Sequence, residues 1–119
     1  MPYTARETAR IIHETFRAMQ AVDNDDMPAL PWMWEPRSVR NRTVAGVHRV
    51  WEQGLSAPGN HEQWCRDMIS AGWVRGAEKD PEGDPPTHPD IVPWPELDPV
   101  KKMRAVMFVE QVRVLMGGR

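Results

Sequence analysis

Four short stretches of this sequence carry side chains able to do chemistry. They are His61-x-x-Trp64, Gly72-Trp73-x-Arg75-Gly76, His88-Pro89 and Pro93-Trp94-Pro95. Arginines interleaved with aromatic rings suit flat anionic ligands, because a ring stacks on a base while a guanidinium fork grips phosphate. Arg66, Arg75, Arg40 and Arg42, with Trp73 and Trp94, supply those groups here. Each also has a packing alternative. Trp73, pinned between glycines, is either a core keystone or a stacking platform. Trp64 shares a helix face with Cys65 and Met68, and Trp51 lies among valines, so both are expected in the core. Prolines on both sides hold the ring of Trp94 near the surface at low entropic cost. Trp32 and Trp34, in a similar loop, are read the same way. His61 is expected to cap or to pack, and His88 to tie the turn before its proline.

The same inventory excludes other chemistry. The chain has 119 residues, a net charge of -2 and a single cysteine, Cys65, so no internal disulfide is expected. No Cys-x-x-Cys or His-x-x-x-His spacing exists, and His13-Glu14 lacks the second histidine a zincin helix needs, so neither a metal nor a cofactor is expected. There is no nucleophile motif and no glycine-rich phosphate loop. Glu78, Asp80, Glu82 and Asp84 read as a solvated turn. A non-enzyme is expected. The charge balance gives no general polyanion binder, hence no long nucleic acid. No apolar run reaches the length of a membrane span, and the charged N-terminus is unlike a signal peptide. The expected compartment is the cytoplasm.

The elements that must position these groups follow from pattern. Thr4 with Glu7 is a capping box opening a helix from Ala5 to Val22, with Ala9, Ile12, Phe16 and Met19 on its apolar face. The acidic run Asp23 to Asp26 ends it. Met27 to Arg37 is a proline-aromatic loop. A second helix runs from Ser38 to Gln53, with Val39, Val47, Val50 and Trp51 buried and Gly54 as its stop. Asn60 and Gln63 resemble a capping box for a third helix, His61 to Ala71, whose inner face is His61, Trp64, Cys65 and Met68. Trp73-Val74 and Ile91-Val92 are candidate extended pieces, joined by a turn-rich connector from Asp80 to Pro89. Asp98 caps a last helix that begins at Pro99, with Met103, Met107 and Val114 on its apolar face. The fold class is mainly α: four helices, two proline/aromatic-rich loops and at most a minimal β ribbon, in a single domain over residues 1–119.

The second half resembles the RyR domain, the repeat first described in ryanodine receptors and also found as a stand-alone module in bacteria and phages. The matching residues are His61 and Trp64; Gly72, Trp73 and Gly76; His88 and Pro89; Ile91, Val92 and Pro93; and Leu97. They span a core of about residues 60–115, with residues 4–55 as a helical extension that resembles longer versions of the domain. Arg75 stands where the family usually has Tyr, Trp94 replaces the Tyr after the proline, and Thr87 replaces a basic residue before His-Pro. The resemblance implies a four-helix RyR-like fold and a role in sensing nucleotide-derived small molecules.

Two functional expectations result. The first is a non-enzymatic module binding an anionic nucleotide-derived signal, of cyclic oligonucleotide or ADP-ribose type. Its ligand-binding residues would be His61, Trp64, Arg66, Trp73, Arg75, His88 and Trp94. Such a module is expected to be a homo-oligomer, a dimer enclosing a large ligand, and to serve as a phage sponge sequestering a host defence messenger. The second is a protein-interaction or structural module, such as a virion or scaffold component, using exposed Trp/Pro loops as hot spots.

Overall fold

The computed structural model describes residues 2–23 and 28–117. It contains α1 (Ala5–Val22), α2 (Arg37–Gln53), α3 (Ala57–Ser70), β1 (Val74–Arg75), β2 (Thr87–His88) and α4 (Pro99–Gly117). Single 3₁₀ turns cover Trp32–Trp34 and Trp94–Glu96. The chain is therefore mainly α with a minimal β ribbon. No helix among the described residues is long and apolar enough to cross a membrane. The chain falls into two compact units, Met1–Leu55 with Met107–Arg119, and Ser56–Val106.

In the first unit, the Thr4 hydroxyl accepts from the Glu7 amide at 3.1 Å, and the Glu7 carboxylate accepts from the Thr4 amide at 3.0 Å. This reciprocal cap satisfies two amides that the first turn leaves without partners. Ala5, Thr8, Ala9 and Ile12 are buried, at the spacing of one helical face. Val47 and Val50 of α2, Val109 and Val112 of α4, and Trp32 complete this core. Phe16 and Met19 are only partly buried. Asp23 ends α1, and the rest of the expected acidic stop lies outside the described residues.

The following loop is tied to α1 by side chains. His13 Nε2 donates to the Leu30 carbonyl at 2.7 Å, Arg17 Nε donates to Ala29 O at 3.1 Å, and Gln20 Oε1 accepts from the Ala29 amide. The anchoring turns Trp32 inward, edge-on to His13 at 5.5 Å, and leaves Trp34 76 % exposed. Two tryptophans read alike in the sequence thus have opposite fates. Trp51, expected in the core, is 44 % exposed. Val50 occupies the inner face, and the next residue on a helix is rotated well away from it. Gly54 stops α2 in the left-handed region, φ 61°, as its type permits.

In the second unit, α3 begins four residues before the expected His61. Ser56 is its cap, with Oγ accepting from the Gly59 amide at 3.1 Å, and Pro58 stands in the first turn. Asn60 and Gln63 make no capping box; Gln63 bonds Asp67 and Arg66 along the helix face instead. Gly72, φ 96°, turns the chain out of α3. The ribbon also differs from expectation. Val74 pairs with Thr87 and Arg75 with His88, in parallel, while Ile91-Val92 forms no strand and Ile91 is buried. The pairing brings β1 against Thr87 so closely that a Cβ on Gly76 would lie 2.5 Å from Thr87 Cβ. Asp98 Oδ1 accepts from the Val100 amide at 2.9 Å, capping α4 as expected. The expected apolar face of α4 is corrected: Met103 and Val114 are exposed, and Val109 and Val112 are buried. Apolar residues surround this helix, so periodicity alone cannot choose a face.

Candidate functional site

Each of the seven candidate ligand-binding residues lies within Ser56–Val106. On α3, His61, Trp64 and Cys65 are three and four residues apart and share a face. Around them the turns and strands place three more rings. Trp94 lies 5.9 Å from His61, His61 stacks on Trp64 at 5.8 Å, Trp64 meets His88 edge-on at 5.0 Å, and His88 lies 6.3 Å from Trp73. The result is a continuous row of five rings, Trp94–His61–Trp64–His88–Trp73. His61 is buried and the other four are half-buried.

Hydrogen bonds fix both histidines. The Val92 carbonyl can only accept, so the His61 Nε2 that approaches it at 2.7 Å carries a proton. Cys65 Sγ lies 3.4 Å from the same nitrogen and 3.8 Å from the Val92 oxygen. Burial raises the thiol pKa; the Val92 hydrogen bond opposes this in part, and the Asp90 and Glu62 charges add to the rise. Cys65 is therefore held as a thiol, not as the thiolate a nucleophile needs.

His88 Nδ1 accepts from the Asp90 amide at 3.1 Å, which leaves its proton on Nε2. Burial lowers its pKa against the pull of the Asp90 carboxylate 3.9 Å away, and the Lys79 and Lys101 charges lower it further. Asp90 is itself claimed by Lys101, whose ammonium is 2.7 Å from both carboxylate oxygens. The His88 ring is thus neutral near pH 7, with one N–H to offer.

The arginines do not converge on one point. Arg75 is exposed on β1 and lines a cleft of about 360 Å³ with Gly76, Ala77 and Pro89. Arg66, also exposed, donates to Gln63 and lines a more apolar cleft of about 300 Å³ with Glu62, Cys65, Ile69, Ile91, Val92 and Pro93. Arg40 and Arg42 stand on α2, in the other unit. Sequence reasoning missed Lys102, whose ammonium lies 6.0 Å from the centre of the Trp94 ring and donates to the Pro95 carbonyl at 3.0 Å. It missed Lys101 as well. Two adjacent lysines in the first turns of a helix carry no sequence signal beyond solvation. Among the described residues, no three His, Cys, Asp or Glu side chains gather as a metal site.

Comparison with known protein families, curated proteins and solved structures finds no match. The likeness to RyR domains accordingly rests on the residues quoted above.

Proposed function

We propose that Ser56–Val106 is a non-enzymatic, RyR-like binding module for an anionic nucleotide-derived small molecule, and that the protein acts by holding and sequestering it. The row of five rings carries this reading, because its Trp94 end stands beside a cation. Lys102 sits over the Trp94 ring, and Arg75 follows Trp73 by two residues. Half-buried rings with a cationic rim offer a base a stacking surface and a phosphate its counter-charge. The two clefts are at the small end for ligand sites. A cyclic oligonucleotide would therefore be shared between two copies, whereas a single base with its phosphate fits one.

The test is a thermal-shift panel of cyclic di- and trinucleotides, ADP-ribose and its cyclic isomers, NAD and simple nucleotides. At a hundredfold excess over its dissociation constant a ligand adds roughly 2.7 kcal/mol of stability. One class should raise the melting temperature, and Trp94→Ala and Arg75→Ala should abolish the shift while leaving the fold intact. A silent panel, or unchanged affinity in both variants, overturns the proposal.

One observation favours a second reading, a protein-interaction module. Met33 and Trp34 are adjacent and exposed, 62 % and 76 %, on a loop that α1 holds in place. Exposed Trp on a rigid loop is the composition of an interface hot spot. A silent ligand panel with a co-purifying partner that is lost in Trp34→Ser would select this reading.

A further inference from the structure

A further concave site lies in the first unit and has no part in the ring row. Arg6, Arg37, Arg40 and Asn41 line a cavity of about 400 Å³ there. Arg6 is in the first turn of α1, and the other three are in the first turns of α2. Three guanidinium groups and an amide make a lining of hydrogen-bond donors. None of the three arginines is paired with a carboxylate among the described residues. The acid nearest in sequence, Glu7, has its Oε1 held by the Thr4 amide. Arg40 Nε is shielded from solvent and has no acceptor among the described residues.

The start of α2 is an independent pointer. No side chain caps it, and its first turn holds no acidic residue. The amides of Val39 and Arg40 bond to the Pro36 carbonyl, which leaves those of Arg37 and Ser38 without an acceptor among the described residues. A helix start carries partial positive charge, and cations placed on it are unfavourable. This helix nevertheless opens with Arg37 and places Arg40 one turn later. An anion in the cavity, whose lining includes Arg37 at the start of α2, removes the conflict, because it sets a counter-charge against the helix dipole and the guanidinium forks.

We infer that the Arg6–Arg37–Arg40–Asn41 cavity is an oxyanion site that takes a phosphoryl group. Its volume admits more than one phosphate. Guanidinium forks match phosphate oxygens in pairs, which favours this class over halide or a single carboxylate. The group arrives either as free pyrophosphate or as the phosphate end of a nucleotide. The site stands apart from the proposed ring-row function and makes no use of those rings.

The experiment is titration calorimetry of the full chain with inorganic pyrophosphate and, separately, ADP, in a phosphate-free buffer at low ionic strength. Saturable binding of pyrophosphate is expected, with affinity falling at least about tenfold in Arg37→Ala and again in Arg6→Ala/Arg37→Ala, as each lost charge-assisted contact implies. Arg37 is exposed, so its removal does not threaten the fold. Arg37→Lys should restore only part of the affinity, since an ammonium cannot reproduce the fork. Trp94→Ala should bind pyrophosphate as the parent does, which separates this site from the ring row. Tighter binding of ADP than of pyrophosphate identifies a nucleotide as the source, and the reverse identifies the free anion. No saturable heat with either probe, or affinities unchanged by both arginine variants, overturns the inference.

Discussion

The His61 imidazole donates its Nε2 proton to the carbonyl of Val92, 31 residues further along the chain, at 2.7 Å. This bond joins α3 to the proline-rich loop and holds the Trp94 end of the ring row, because His61 contacts Trp64 on one side and Trp94 on the other. His61→Ala removes the donor and the ring together. The expected loss is about 2 to 4 kcal/mol, from an orphaned acceptor and two lost ring contacts. Urea unfolding monitored by tryptophan fluorescence measures it. A loss within about 0.5 kcal/mol, the range of inert surface changes, would show that the bond does not hold the loop.

His88 makes the stability of this protein depend on pH. Burial lowers its pKa in the folded state, so the unfolded chain binds the proton more readily. Its contribution is fully present above the unfolded pKa of ~6.5 and is lost as pH falls from there through the folded value. The parent should therefore lose stability as pH falls below about 6.5. His88→Gln keeps an acceptor for the Asp90 amide but cannot titrate, so its profile should be flatter over that window. Parallel profiles for the two proteins would assign the acid sensitivity to other groups.

Trp32 and Trp34 offer a paired comparison within one turn. Trp32 is 4 % exposed and packs against His13, whereas Trp34 is 76 % exposed. Trp32→Ala should cost about 3 to 5 kcal/mol, the usual range for emptying a buried aromatic position. Trp34→Ala should change stability by no more than about 0.5 kcal/mol. Equal costs for the two substitutions, read from thermal unfolding, would contradict the inward placement of Trp32.

Local rules written into short stretches were enough to locate the helices. Thr4 with Glu7, Gly54, Gly72 and Asp98-Pro99 mark ends by backbone chemistry that depends on a few neighbouring residues. The structure keeps each of these marks. The start of α3 departs from its expected place: Ser56 caps it and Pro58 fits its first turn, so Asn60 and Gln63 fall inside the helix.

What tertiary structure alone decided is which side of each element faces inward, and which distant residues meet. α4 carries apolar residues all round, so only packing could bury Val109 and Val112 and leave Met103 and Val114 outside. The ribbon partner of β1 proved to be Thr87–His88, because strand pairing is a contact between remote segments and no local signal encodes it. The seven candidate site residues were legible by type, but not their grouping. Five rings meet in a row, while Arg66 and Arg75 open onto separate clefts, and Lys101 and Lys102 join from α4. Residue type and spacing state what a side chain is able to do. Which side chains do it together is set by how the chain closes on itself, and that depends on contacts dozens of residues apart.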